Sequence, residues 1–177
     1  LNSEVLRALS EVQRRIGSAT ALEGVVAAVA DAALDLVERA THATVVLRDE
    51  PAESNRDVAG FVPVLTRVRG ADGRPSAPGG SVPITRSVFR KVVAERAAVL
   101  AADAPSESFS SESLLGASIR STIGVPLWRG DDILGVLQVD NRDAAKMFDA
   151  RDVEVLAVLA QNASLAVDNA RLIRRLL

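Results

Sequence analysis

Two short segments, 122–128 and 133–139, leave this chain little freedom in how it folds. Ile123, Val125 and Leu127 alternate with other residues, the pattern of a strand with one apolar face. Arg129-Gly-Asp-Asp132 then supplies turn chemistry, and Ile133 to Val139 is apolar apart from Gln138. An antiparallel hairpin follows, and its second strand needs cover on both faces, so it belongs in the middle of a sheet. Helical segments flank the runs of strands and no repeat is evident, which predicts an α+β fold rather than a wound parallel sheet. At 177 residues the chain fits one domain, residues 1–177, large enough to carry a core without covalent staples.

The remaining elements are read from periodicity and breakers. Val5, Leu9, Val12 and Ile16 fall on one face of an N-terminal helix within residues 1–18. Thr20-Ala-Leu-Glu23 has the spacing of a capping box, opening a second helix that ends near Arg39. Thr44–Leu47 and Phe61–Arg69 read as strands, the latter at an edge because Pro63 cannot donate to a ladder. Gly70 to Gly80 reads as a flexible connection. Thr85 is placed to cap a helix to about Glu95, with Ile84 and Phe89 as a hydrophobic staple, and Ala97–Ala101 reads as a strand. The serine-rich stretch from Asp103 to Ser121 is expected to be loop plus a short helix lying over the sheet. Asp149 caps a last helix, 149–177. Because the chain begins at Leu1 and both ends read as helix, a piece of a longer protein is expected, the last helix continuing toward an output module.

Composition removes most catalytic chemistry. There is no cysteine, which excludes disulfides, thiolate metal sites, redox thiols and thioether-linked cofactors within this chain. His42 is the single histidine, so neither a two-histidine metal site nor a histidine relay is available. Lys plus Arg number 21 against 23 Asp plus Glu, a net charge of -2 that gives nucleic acid or anionic lipid no hold on the domain. No apolar run approaches the length of a membrane span. A soluble domain with no metal and no cofactor is expected. Asp131 and Asp132 are neighbours in a turn and diverge, so they make no catalytic pair. Trp128, at the end of a strand, reads as structural, and His42, ahead of a strand, as a surface or rim residue.

The last helix carries two adjacent apolar seams. Leu156, Leu159, Ala163, Ala166, Ala170, Ile173 and Leu177 form one heptad stripe. One residue earlier, Val155, Val158, Asn162, Leu165, Asn169, Leu172 and Leu176 form another. One seam covers the domain's own sheet; the other is left for the first helix or another subunit, with Asn162 and Asn169 suited to fixing register. The expected interaction residues are Val5, Leu9, Val12, Leu159, Asn162, Ala166, Asn169 and Ile173, in a homodimer formed through the terminal helices.

The run from Ile123-Gly-Val-Pro-Leu-Trp to Gly-Val-Leu-Gln-Val-Asp140, with Phe148-Asp149 and the long helix after it, resembles a GAF domain, as do Ser87-Val-Phe89 and Val99-Leu-Ala-Ala-Asp103. The resemblance covers essentially the whole chain. It implies a central antiparallel sheet of about six strands, terminal helices on one face, and a loop and short-helix roof over a small-molecule pocket on the other. It also implies sensing rather than catalysis, in a cytoplasmic bacterial regulator. The hairpin is most similar to GAF domains found with forkhead-associated modules in sigma-54-dependent activators or nucleotide cyclases, and a bias of 19 arginines to 2 lysines (Lys91 and Lys146) accords with a bacterial source. Cyclic-nucleotide-binding relatives carry an Asn-Lys…Phe…Asp-Glu signature. Asn141, Phe148 and Asp152 match it, but Arg142 replaces the Lys and Val153 the Glu, and a pair such as Arg142 with Asp152 reads as structural. Covalent bilin attachment and methionine-sulfoxide reduction both need a cysteine this chain lacks.

By the same resemblance Phe109, Ser110, Ser113, Leu114, Arg120 and Ser121 lie in the pocket roof and are the expected ligand-binding residues. Arg120 suits an anionic group; the other reading is a solvated arginine before a strand. Three functions remain: a sensory domain whose ligand changes the packing of the terminal helices, a degenerate GAF domain that only dimerises, and an enzyme, which the composition disfavours.

Overall fold

The computed structural model describes residues 3–18, 21–48, 60–79, 86–101, 119, 121–143 and 147–176. Its helices are α1 (Ser3–Ser18), α2 (Leu22–Leu36), α3 (Ser87–Glu95) and α4 (Ala150–Leu176). The strands are β1 (His42–Arg48), β2 (Phe61–Arg69), β3 (Pro75–Ser76), β4 (Val99–Ala101), β5 (Ser121–Arg129) and β6 (Asp132–Asn141). They form one antiparallel sheet in the order β3-β2-β1-β6-β5-β4. The α+β fold expected from the sequence is the one observed.

The hairpin organises the rest. β5 and β6 pair from Ser121↔Asn141 to Arg129↔Asp132, with a register shift after Leu127 and Gly130 at φ +61° in the turn. Glycine adopts that backbone conformation without a Cβ penalty. β6 also pairs with β1 and is buried from Ile133 to Asn141, as its apolar run required. Pro63 sits where β2 has no outer partner among the described residues, since β3 meets only Val68 and Arg69.

Each face of the sheet has its own apolar cluster. On one face Ala43, Val45, Leu47, Ile123, Val125, Leu127, Leu137 and Val139 pack with α1, α2 and α4. Alanines at 30, 33, 160, 163 and 170 are all buried there, and their small side chains let α2 and α4 approach closely side by side. On the other face Val46, Phe61, Ile119, Ile133 and Val136 pack with Val88, Phe89, Val92 and Val93 of α3.

Helix starts were read less well than helix faces. α2 begins at Leu22 with Ala21 as its N-cap and no side-chain cap bond, so the expected box from Thr20 is not the described start; Thr20 itself lies outside the described residues. Glu23 instead meets Arg174 at 3.4 Å. α3 is preceded by Arg86, also without a side-chain cap, and Ile84 and Thr85 lie outside the described residues. α4 is capped as expected. The Asp152 N–H donates to Asp149 Oδ1 and the Asp149 N–H to Asp152 Oδ2, both at 3.1 Å. The Asp152 N–H bond holds the Asp149 carboxyl below its ordinary value, helped by the Arg39 guanidinium.

Two glycines are required by space rather than conformation. A Cβ on Gly135 would collide with the Val46 carbonyl oxygen, which is backbone and cannot turn away. A Cβ on Gly124 would lie 2.8 and 2.9 Å from methyls of Val92 and Val88 of α3. Gly135→Ala is therefore expected to destabilise the fold by about 3 kcal/mol and Gly124→Ala by about 1–2 kcal/mol. Urea unfolding followed by the fluorescence of the single tryptophan measures both, and equal or negligible effects would contradict this packing.

Candidate functional site

The face of the sheet that packs on α3 is not apolar throughout. Cross-strand register places Thr66, Thr44 and Gln138 side by side in one row, and His42, Asp140 and Thr122 in the next. Thr44 Oγ1 lies 3.0 Å from Thr66 Oγ1. Thr122 donates to Asp140 Oδ1 at 2.8 Å, and Gln138 Nε2 donates to the same oxygen at 3.3 Å. Thr44, Thr122, Gln138 and Asp140 are all buried. Ala101 pairs with Thr122 at one edge of this floor, and both Ala101 and Ile119 belong to the apolar cluster on this face.

One atom of the floor is unsatisfied. Gln138 is 1% exposed, and its Oε1 accepts no hydrogen bond from the described residues. A buried amide oxygen without a donor costs about 1–3 kcal/mol, a cost that persists when some other role retains it. The ionisable members are also displaced from their ordinary behaviour. Burial raises the Asp140 carboxyl, against the opposing hydrogen bonds from Thr122 and Gln138 and the charge of Arg142. His42 lies within β1 rather than ahead of it, half-buried; burial and the Arg142 charge lower it to about 4, so its imidazole is neutral at pH 7. The floor therefore offers hydroxyls, an amide, a carboxyl and an imidazole, the last with its Nδ1 2.8 Å from the Thr41 hydroxyl. Among the described residues no group of three or more His, Asp or Glu is placed to hold a metal ion. No described helix is long and apolar enough to cross a membrane.

Of the expected ligand-binding residues, Phe109, Ser110, Ser113, Leu114 and Arg120 lie outside the described residues. Ser121 is described, and it is committed to structure. Fully buried, its hydroxyl donates to the Ala101 carbonyl at 3.3 Å and accepts the Phe148 N–H at 3.0 Å. It ties β4 and the approach to α4 onto the start of β5, leaving no free donor for a ligand. Sequence reasoning missed Thr44, Thr66, Thr122 and Asp140 and noted Gln138 only as an exception in an apolar strand. That exception was the available signal.

The matching residues of the partial nucleotide signature serve the fold, while Arg142 is close enough to the floor for its charge to act on His42 and Asp140. Asn141 Oδ1 accepts the Asp143 N–H at 2.7 Å in a turn, and Phe148 is buried in the cluster on the helical face. Asp152 takes part in the α4 cap and lies 3.7 Å from Arg39. Trp128 is structural as expected: the Arg96 guanidinium stacks 5.2 Å from its ring centre, and its backbone N–H donates to Ser164 Oγ at 2.9 Å.

The structure divides the expected helical seam. Leu9, Val12 and Leu159 are buried in the domain's own core, and Val5 and Ala166 pack against it half-buried, so these five serve the fold. Asn162 is half-buried, and Asn169 and Ile173 are exposed. The heptad reading merged two faces that the helix keeps apart.

These observations can be set beside known proteins. The family model described as a GAF domain matches residues 19–168. The chain belongs to the GAF family. No curated protein sequence matches it. Among solved structures it is similar to the GAF domain of a phosphoenolpyruvate-protein phosphotransferase from Coxiella burnetii, at 18% identity and TM-score 0.70, covering 97% of this chain and 96% of that one. It is similar as well to free methionine-R-sulfoxide reductase from Neisseria meningitidis in complex with its substrate, at 18% identity and TM-score 0.68, covering 98% and 95%. A far-red absorbing dark state with bound biliverdin IXa is a third, at 15% identity and TM-score 0.68, covering 93% and 99%. At these identities the likeness establishes the GAF fold alone.

The floor's two displaced groups act on stability in opposite senses. His42, lowered in the fold, binds fewer protons there than when unfolded, so its contribution is lost as pH falls from about 6.5 toward about 4. Asp140, raised in the fold, is a burden once ionised, so its contribution falls as pH rises above its ordinary 3.8. His42→Gln is expected to remove the loss between pH 6.5 and 4. Asp140→Asn is expected to be more stable than the parent at neutral pH and to converge with it near pH 3.8. Urea unfolding across pH measures both, and unchanged pH profiles would contradict the buried floor.

Proposed function

We propose that this GAF domain is a non-catalytic sensory module of a larger bacterial regulatory protein, binding a small polar molecule over the Thr44–Gln138–Asp140 floor. The observation that carries the reading is the buried Gln138 Oε1, without a donor among the described residues and set among hydroxyl and carboxyl groups on the face away from the terminal helices. A ligand donating to that oxygen would relieve the cost of leaving it unpaired. Other GAF-fold structures hold a small molecule, a substrate in one and biliverdin in another. The reductase chemistry is not carried over, because these 177 residues supply no thiol.

Two hydrogen bonds give occupancy a route to α4. Arg171 donates to the Arg48 carbonyl at 2.6 Å, tying the helix to the end of β1, and Ser164 accepts the Trp128 N–H at the end of β5. A ligand moves α4 only by binding one arrangement of these contacts more tightly than another. The hairpin's resemblance to domains paired with forkhead-associated modules supports a cytoplasmic setting upstream of a sigma-54-dependent activator or a cyclase.

A second reading, a GAF domain that only dimerises, is favoured by the exposed leucines 165, 172 and 176 on α4. Thermal shifts with cyclic nucleotides, amino acids and small organic acids separate the two. A ligand at one hundred times its dissociation constant adds about 2.7 kcal/mol. Gln138→Leu should fold, abolish that shift and leave α4 intact. No shift from any compound, or a shift that survives Gln138→Leu, would contradict binding at this floor.

A further inference from the structure

Gln138 and Asp140 stand two residues apart on β6 and so project to the same face of the sheet. They are 1% and 3% exposed. Their hydrogen bonds are one-sided. Asp140 Oδ1 takes two donors, the Thr122 hydroxyl at 2.8 Å and Gln138 Nε2 at 3.3 Å. Among the described residues nothing donates to Asp140 Oδ2, and nothing donates to Gln138 Oε1. With the amide nitrogen turned toward the carboxyl, the amide oxygen is the end left over. Two neighbouring buried groups thus each keep an acceptor oxygen in reserve. Nor does the carboxyl make an ion pair among the described residues. The Arg142 charge acts on it through space, and less than either hydrogen bond does.

Each class of polar ligand meets these two oxygens differently. A carboxylate or phosphate brings further acceptors and a second negative charge, so neither oxygen gains a donor and the repulsion grows. A neutral hydroxyl compound donates to one oxygen and leaves an ionised Asp140 buried without a counter-charge. A protonated nitrogen meets both needs. A primary ammonium has three donors, and an amidinium or guanidinium has several in one plane. Either reaches two oxygens at once, through charge-assisted bonds roughly twice as strong as neutral ones. His42, pulled down to about 4, is neutral at pH 7 and adds no competing charge. We infer that the floor selects an organic cation bearing two or more N–H groups, held between Gln138 Oε1 and Asp140 Oδ2. This rests on the proposed binding of a small molecule at the floor and names its chemical class. Asp140 supplies the preference for positive charge, and Gln138 fixes the direction of the second N–H.

Acetamidinium, acetamide and acetate share one planar skeleton and differ in charge and in donors, so they isolate the chemistry from the shape. Ligands of so few atoms bind weakly, and each is titrated to about 100 mM at constant ionic strength. Nuclear magnetic resonance of the isotope-labelled chain follows the Gln138 amide and the Asp140 carboxyl. Acetamidinium should move both and bind at least about tenfold more tightly than the other two, a difference of about 1.4 kcal/mol. Tetramethylammonium, which has the charge and no N–H, should leave both unmoved. Asp140→Asn keeps the shape without the charge and should abolish the preference for acetamidinium while the tryptophan fluorescence stays native. Gln138→Leu should weaken acetamidinium by about tenfold as well. Acetate or acetamide binding as tightly at the same resonances would overturn the ligand class and leave small-molecule binding at the floor standing. Tetramethylammonium binding as well as acetamidinium would overturn the paired N–H contact. A preference that survives Asp140→Asn, or Gln138 and Asp140 unmoved by every probe, would overturn the inference. Binding at the floor itself falls only if the wider thermal-shift screen also finds no compound sensitive to Gln138→Leu.

Discussion

Strand β6 is the constraint on which the molecule rests. It is paired along both edges, by β1 and β5, and buried on both faces, so the sheet cannot exist without a layer on each side. Gly135 lets the β1 backbone come close, and Gly124 of β5 does the same for α3. The terminal helices supply one layer, and α3 supplies part of the other. Everything functional in the structure is a consequence of how differently these two layers treat the same strands.

On the helical side the sheet is apolar and the packing is tight, with alanines holding α2 and α4 close. On the other side two rows of cross-strand neighbours are polar, with Thr44, Gln138, Asp140 and Thr122 buried and His42 and Thr66 half-buried. An apolar floor would pack at less cost. The unpaired Gln138 Oε1, the raised Asp140 and the lowered His42 all record the expense of keeping polar groups there. Such local conflicts between packing and composition are where function is expected to sit.

Much of this was legible in the sequence because it is local. Period-two alternation announced the hairpin, helical stripes announced α1, α2 and α4, and Asp149 announced a cap. What was hidden depends on register. Thr44 and Gln138 are distant in the chain and become neighbours only once β1 and β6 pair, so a row of polar side chains looked like isolated exceptions. β3 is only Pro75 and Ser76 and was read as loop. Ser121 looked available as a serine before a strand, yet two hydrogen bonds within the fold use its hydroxyl. Leu159 was assigned to a seam between chains because heptad spacing alone does not say which side of a helix faces its own core. The drift between 3.5 and 3.6 residues per turn decides that, and only the packed helix displays it.

The central claim is that the polar floor receives a small molecule and that α4 responds. The direct measurement is a titration of the isotope-labelled chain with its stabilising compound, followed by nuclear magnetic resonance of the Gln138 side-chain amide and the α4 backbone. The account predicts that the Gln138 resonances move first-hand with occupancy and that amides around Ser164 and Arg171 move with the same saturation curve. Perturbations confined to the outer surfaces of α1 and α4, with Gln138 unmoved at saturation, would contradict it.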